Sequence, residues 1–215
     1  MTALDRFNEL PARVRDEILD KHRRFNVEHL EWWDCVYDDF KHDMLGVGIE
    51  VENMFFSGFS SQGDGACFEG RVFSWGDFLK SVGYEDPALI ALAEQSWLFR
   101  VKHSGHYYHE NCTSFYPDMA NPDDYYESEL DEFIAHHSPY DTDIQNAAFV
   151  AILQGYDFAL LEDEFAEEFK RHMRALYNRL EVEYDALTSD ESVLEALDAN
   201  HILTQIIDQL EEEHA

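Results

Sequence analysis

Two short runs contain residue types that proteins use for catalysis and metal binding. Residues 55–70 are FFSGFSSQGDGACFEG and include Asp64 and Cys67 among glycines and aromatic residues. Residues 102–112 are KHSGHYYHENC and add His106, His109 and a second cysteine. A thiol, an imidazole and an orienting carboxylate form a nucleophilic site when the fold brings them together. The candidate catalytic residues are therefore His106, His109, Asp64 and Cys67.

The spacing within the second run disfavours a metal site. Ser104 and Gly105 predict a two-residue turn between strands 97–103 and 106–114, which places His103 opposite His106. Cys112 would then lie about 20 Å from His106 along the strand. Zinc needs three or four convergent ligands, so we predict no metal and no cofactor. A polar hairpin is the preferred interpretation, and a small buried cysteine is the commoner role for Cys67. An enzyme or sponge that cleaves or sequesters a nucleotide signal remains the alternative.

The charge of the chain is extreme. The 215 residues include 46 Asp and Glu against 15 Lys and Arg, which gives a formal net charge of −31. Binding to a nucleic-acid backbone or to an anionic membrane surface requires clustered Lys and Arg, so neither is expected. Three classes of partner fit this charge: a basic protein surface, a cation, and a nucleic-acid-binding protein whose site the acidic surface could occupy in place of DNA or RNA.

Two acidic tracts are the candidate partner-binding segments. NPDDYYESELDE spans 121–132 and LEDEFAEEF spans 161–169. Carboxylates a turn apart on one exposed helix face repel each other, so a helix that retains them is a candidate for binding a basic surface. The candidate residues are Asp123, Asp124, Glu127, Glu129, Asp131, Glu132, Glu162, Asp163, Glu164, Glu167 and Glu168.

The elements that position these residues predict an α+β fold in one domain. A small antiparallel sheet of about four strands is flanked by N-terminal and C-terminal helices. The expected segments are N-terminal helices at 1–46, with one helix over 27–44, the sheet at 47–116, an acidic insertion at 117–143 and acidic helices at 144–215. In the last segment, apolar residues spaced by three and four from Phe165 to Leu187 predict a long helix, and Thr188 with Glu191 predicts a capping box.

The remaining features favour a reduced intracellular environment. The three cysteines, Cys35, Cys67 and Cys112, have no spacing typical of a disulfide framework. The N-terminal run lacks the basic and apolar regions of a signal peptide, and no stretch of 18 apolar residues is present. The sequence thus predicts a cytoplasmic protein without a membrane partner.

Three motifs resemble a group of phage and prophage proteins. The motifs are FFSGFSSQGDGACFEG, VKHSGHYYHENCT and TSDESVLEALDAN, and the similarity extends from about Glu31 to about Asn200. The group consists of small acidic accessory proteins, mostly uncharacterised or labelled antitoxin-like. The resemblance implies action in the host cytoplasm on a host system and supplies no catalytic residue.

Charge and resemblance together lead to one principal hypothesis. The chain is expected to be a non-enzymatic phage counter-defence inhibitor, of anti-CRISPR or anti-restriction type, that binds a basic nucleic-acid-handling host protein. An antitoxin that neutralises a cognate toxin would use the same electrostatic attraction with a different partner. The oligomeric state is left open.

Overall fold

The computed structural model describes residues 2–28, 31–119 and 155–213. It confirms the α+β class, with a four-stranded antiparallel sheet and flanking helices. The chain divides into two compact units, the first formed by Met1–Val36 with Arg179–Ala215 and the second by Tyr37–Asn178. The expectation of a single domain stays a prediction.

Helices from both chain ends form the first unit. Its elements are α1 (Ala3–Glu9), α2 (Ala12–His22), α3 (Phe25–Glu28), the end of α7 (Phe158–Leu187), α8 (Asp190–Ala199) and α9 (Ile202–Glu213). Thr2 and Asp5 form a capping box at the start of α1. Apolar residues at helical spacing meet in one core that consists of Phe7, Ile18, Leu19, Val193, Leu197, Leu203 and Ile207. Burial of this apolar face is what holds these short helices together.

Two predicted helix starts are wrong. The structure has no single helix over 27–44, because α3 ends at Glu28 and α4 (Asp34–Gly46) begins at Asp34. A turn in which the Glu31 carbonyl accepts the Asp34 N–H separates them. The cap of α8 is Ser189 and not Thr188, since the Ser189 hydroxyl accepts the Ser192 N–H.

The second unit contains the sheet. Its elements are the main part of α4, β1 (Ile49–Phe56), β2 (Ala66–Val72), α5 (Trp75–Ser81), α6 (Pro87–Ser96), β3 (Trp97–His103), β4 (Thr113–Met119) and the start of α7. The strand order is β1-β2-β3-β4, and each neighbouring pair is antiparallel. The β1–β2 ladder is irregular between Val51 and Asn53. Gly70 faces this point, where an added Cβ would lie 2.3 Å from the Glu50 carbonyl oxygen.

Aromatic rings fill the core of the second unit. Phe165 and Phe169 on α7 are fully buried. Their ring centroids lie 5.2 Å from Phe78 and 5.5 Å from Phe99, respectively. The apolar stripe of α7 is therefore a buried helix face, as its spacing predicts.

The predicted register of the second hairpin is wrong. His103 pairs with Thr113 and Val101 with Phe115, so residues 104–112 form a loop and not a tight turn. The Ser104 N–H donates to the Cys112 carbonyl at 2.7 Å and closes this loop. Thr113 and Ser114 donate side-chain hydrogen bonds to loop residues Glu110 and Ser104. Phe115 packs against Phe99 on the next strand, with ring centroids 5.8 Å apart.

The last strand extends past its predicted end. β4 continues to Met119, three residues into the segment expected to be the acidic insertion. Pro117 pairs with Phe99 in that strand. A proline is tolerated there because β4 is the last strand in the sheet order and pairs with β3 alone among the described strands.

Candidate functional site

The glycine-rich and histidine-rich loops meet in the second unit. The loops at 57–65 and 104–112, here called the loop pair, connect β1 to β2 and β3 to β4. A Cβ added to Gly65 would lie 2.9 Å from His109 Cδ2, and one added to Gly63 would lie 3.5 Å from Tyr107 Cδ1. Phe55 stacks on Tyr108 with centroids 5.3 Å apart. The two runs that stand out in the sequence are thus brought together by the fold.

Asp64 closes its own loop. Its Oδ2 accepts the N–H groups of Ser60 at 2.9 Å and Ser61 at 2.7 Å. A carboxylate that accepts two backbone donors is a common way to hold a tight loop. This arrangement gives Asp64 a structural role.

The histidines of the second loop have different surroundings. His109 Nδ1 accepts the Asn111 N–H at 3.2 Å and caps the short 3₁₀ helix Glu110–Cys112. His106 is exposed, and no side-chain hydrogen bond is formed by it within the described part of the chain. The predicted pairing of His103 with His106 does not occur, since His103 Nε2 lies 3.2 Å from the Tyr107 carbonyl oxygen.

Cys67 lies on β2 and has no solvent exposure. Burial raises the pKa of its thiol to about 12, and the neighbouring Cys112 and Glu69 add to this effect. A thiol is nucleophilic only as the thiolate, so this environment keeps Cys67 unreactive near neutral pH. Among the described residues, no group of three or more His, Cys, Asp or Glu side chains could hold a metal ion.

Several carboxylates of the acidic tract on α7 already have hydrogen-bond or ion-pair partners within the protein. Glu162 and Asp163 have no ion pair among the described residues, whereas Glu164, Glu167 and Glu168 are all engaged within the second unit. The candidate partner-binding residues at 123–132, from Asp123 to Glu132, lie outside the described residues. The assignment of residues 161–169 as a partner-binding surface stays a prediction.

Glu168 has the most enclosed surroundings of this tract. Its Oε1 lies 3.0 Å from Nε2 of the buried His172, and its Oε2 accepts a hydrogen bond from Arg171 Nε at 2.7 Å. Burial by itself raises the pKa of Glu168, but the hydrogen bonds from Arg171 and His172 outweigh it and lower the pKa to about 2. The carboxylate is thus held charged by its own helix.

Glu164 has a partner outside α7, whereas Glu167 pairs within the helix. The Tyr84 hydroxyl donates to Glu164, and this bond is the main cause that raises the pKa of Tyr84 to about 12. Arg174 Nη2 lies 2.7 Å from Glu167, and Arg174 Nη1 lies 3.8 Å from Glu110 of the loop pair. A cation from another molecule would therefore have to displace Tyr84 from Glu164 or Arg174 from Glu167.

A groove of about 870 Å³ lies between the end of α5 and these residues of α7. Its walls include Glu164, Glu167 and Glu168, together with Arg171 and Arg174. The face therefore combines both signs of charge. The spacing of i and i+4 between Glu168 and His172, together with the arginines that follow Glu168, is the sequence signal that indicates this internal pairing.

A second concentration of negative charge lies in the C-terminal part of the first unit. Residues 179–213 contain eleven Asp and Glu, and Arg179 is their only Lys or Arg. Arg6 pairs with Asp208 at 2.7 Å and Glu211 at 2.9 Å, and Arg23 pairs with Asp190. Several other carboxylates have no ion pair among the described residues. They form what we call the C-terminal acidic surface: Glu181, Glu183, Asp185, Glu191, Glu195, Asp198 and Glu212.

This surface places like charges close together. Glu181 and Asp185 are four residues apart on α7, and Glu191 and Glu195 are four apart on α8. Such pairs each destabilise a helix by a few tenths of a kcal/mol. Because the buried face of α8 is apolar, these carboxylates project away from the core. The acidity of this region is evident from the sequence, but which of its carboxylates have no ion pair is not.

None of the described helices is at once long enough and apolar enough to cross a membrane. The 30-residue α7 has the length, but its polar face is rich in Asp, Glu and Arg.

Comparison with known proteins gives a family. The chain belongs to the family described as a domain of unknown function (DUF8835), which matches residues 32–190 and so includes the loop pair and all of α7. No curated protein and no solved structure matches the chain. The family description names no activity or partner, so the resemblance to phage accessory proteins stays a prediction.

Proposed function

We propose that this member of the DUF8835 family is a non-enzymatic inhibitor that binds a basic, nucleic-acid-handling protein in place of its nucleic acid. The observation that carries the proposal is the C-terminal acidic surface, whose carboxylates have no cationic partner among the described residues. Unpaired carboxylates at helical spacing offer a partner Lys and Arg side chains without first breaking an internal ion pair.

The surroundings of the loop pair support a binding role over a catalytic one. The Cys67 thiol is buried with a raised pKa, Asp64 holds backbone N–H groups, and His109 caps a 3₁₀ helix. A nucleophilic site would need the thiol accessible and its base free to take a proton. These residues instead stabilise the loops that end the sheet.

The resemblance to phage accessory proteins suggests which kind of protein the target would be. The target would be a host defence protein, of CRISPR or restriction type, in the host cytoplasm, and a cognate toxin would satisfy the same charge requirement. Long-range attraction between opposite charges would speed encounter and would weaken as salt screens it.

The test compares two variants that lose the same charge. The surface variant combines Asp185→Asn, Glu191→Gln, Asp198→Asn and Glu212→Gln, and the control variant combines Asp38→Asn, Asp39→Asn, Glu52→Gln and Glu85→Gln, all at exposed positions. We expect the surface variant to bind the partner at least about tenfold more weakly and the control to change little. Equal effects of the two variants would contradict the assignment of the surface.

A further inference from the structure

A pocket of about 430 Å³, here called the Trp32 pocket, lies within the first unit. Its walls include Trp32 from the turn before α4. The other wall residues are Asn26 of α3, Glu183 and Leu187 of α7, and Ser192, Glu195, Ala196 and Ala199 of α8. The volume lies within the range of about 300–1,000 Å³ typical of ligand pockets. It is open to solvent, so a group attached to a larger molecule can enter it.

The sequence explains why the space exists. α8 buries Val193 and Leu197 on one face and presents Ala196 and Ala199 elsewhere, where a longer side chain would fill the pocket. The Asn26 amide donates to the Leu187 carbonyl at 2.9 Å and to the Ser192 hydroxyl at 3.1 Å. Asn26 thereby ties the end of α7 to the start of α8. The walls are positioned before any ligand arrives.

The chemistry of the walls selects a cation. Neither Glu183 nor Glu195 has a hydrogen bond or an ion pair among the described residues, and both carboxylates border the pocket. An indole face attracts a positive charge, while the leucine and alanine side chains offer apolar contact to a hydrocarbon stem. An anion would be repelled, and a neutral apolar group would desolvate the carboxylates without compensation.

We propose that the Trp32 pocket receives one lysine or arginine side chain of a basic partner protein. The pocket shares Glu183 and Glu195 with the C-terminal acidic surface, and Asp185 and Glu191 of that surface flank its wall residues in sequence. A side chain in the pocket would bring the basic surface that surrounds it towards those carboxylates. Trp with a desolvated cation is a frequent centre of binding energy at interfaces. The identity of the occupant as a protein rests on the proposed function.

The first experiment measures the preference for a cation directly. N-acetyl-arginine methylamide and N-acetyl-lysine methylamide are titrated into the full chain, with the uncharged N-acetyl-norleucine methylamide as the comparison. NMR follows the Trp32 indole N–H and the methyl groups of Ala196 and Ala199. We expect saturable shifts of these signals with the two cationic amides and at least about tenfold weaker binding of the norleucine amide. Absence of saturable shifts, or equal binding of all three amides, would overturn the proposal.

Two variants locate the effect. Glu195→Gln keeps the shape of an exposed side chain, so the fold is retained, and the control Asp16→Asn removes the same charge from an exposed position of α2 outside the pocket. We expect Glu195→Gln to weaken arginine-amide binding by about threefold to tenfold and Asp16→Asn to change it less than twofold. Trp32→Leu should weaken it by about tenfold. Equal effects of Glu195→Gln and Asp16→Asn would show general attraction to a negative protein and would overturn the assignment.

Failure of this inference differs from failure of the proposed function. If the amides do not bind but the partner is captured in a salt-dependent manner, the pocket assignment is wrong and the proposed function stands. If the amides bind and no partner is captured, the assignment of a protein side chain is wrong.

Discussion

Glu168 lies 3.0 Å from Nε2 of the buried His172 one turn further along α7. A carboxylate that the sequence offers as a partner contact is thus part of the internal structure of the second unit. Internal pairing of this kind separates acids that stabilise the fold from acids that remain for binding.

The first prediction concerns Glu168→Gln. The folded pKa of Glu168 is about 2, below its ordinary value of 4.5, because hydrogen bonds from Arg171 and His172 overcome the opposing effect of burial. The carboxylate therefore stabilises the folded state above pH 4.5, and this contribution is lost as the pH falls from 4.5 towards 2. We expect Glu168→Gln to lower the free energy of unfolding by about 1–3 kcal/mol at neutral pH.

Urea unfolding at a series of pH values checks this prediction. The difference between Glu168→Gln and the unchanged protein should shrink below pH 4.5, and Asp163→Asn, on the exposed face of the same helix, should show little difference at any pH. A difference for Glu168→Gln that stays constant down to pH 3 would show that the ion pair does not contribute as described.

The second prediction concerns the contact between the two loops. A Cβ at Gly65 would lie 2.9 Å from His109 Cδ2 and 3.0 Å from the Tyr108 carbonyl oxygen, whereas one at Gly46 would meet nothing within 4 Å. We expect Gly65→Ala to destabilise the protein by about 1–3 kcal/mol and Gly46→Ala to be neutral or slightly stabilising. Thermal unfolding of both variants provides the comparison, and equal stability would contradict the close packing of the loop pair.

The third prediction concerns thiol reactivity. Cys67 is fully buried with a pKa raised to about 12 chiefly by burial, while Cys35 is exposed. We expect iodoacetamide to modify Cys35 and to leave Cys67 unmodified in the folded protein near pH 8, as measured by peptide mass spectrometry. Rapid modification of Cys67 under native conditions would restore it as a candidate nucleophile.

The fourth prediction separates the binding role from the alternative of an enzyme or nucleotide sponge. Asp64→Ala removes the acceptor of two backbone N–H groups and should cost about 1–3 kcal/mol of stability. His106→Ala, at an exposed position, should change stability by less than about 0.5 kcal/mol and leave partner binding intact. If His106→Ala abolished the effect of the protein in cells while folding and partner binding stayed unchanged, that result would favour the alternative.

Local sequence patterns predicted most of the fold. The period of the apolar residues in α7 and the Gly-bounded strands β1 and β2 follow directly from burial and turn chemistry. These elements are predictable because their determining residues are neighbours in the chain.

Properties that depend on distant residues were not predictable in the same way. The register of β4 depends on the packing of Phe115 against Phe99 of the neighbouring strand. The polar loop 104–112 shows no periodic pattern of apolar residues from which its length could be predicted. The meeting of Gly65 with His109 also requires the whole sheet order. The pairing of Arg6 with Asp208 joins opposite chain ends, so the sequence could show the acidity of α9 but not which acids are compensated.

The central claim is that the C-terminal acidic surface occupies the nucleic-acid site of a basic protein, and displacement tests it most directly. The immobilised protein captures partners from an extract of the cells in which it naturally occurs, and mass spectrometry identifies them. We predict a nucleic-acid-binding protein that is released both by added salt and by its own DNA or RNA, and that the surface variant captures at least about tenfold less well. Capture of no such protein, or a captured partner that nucleic acid does not displace, would contradict the claim.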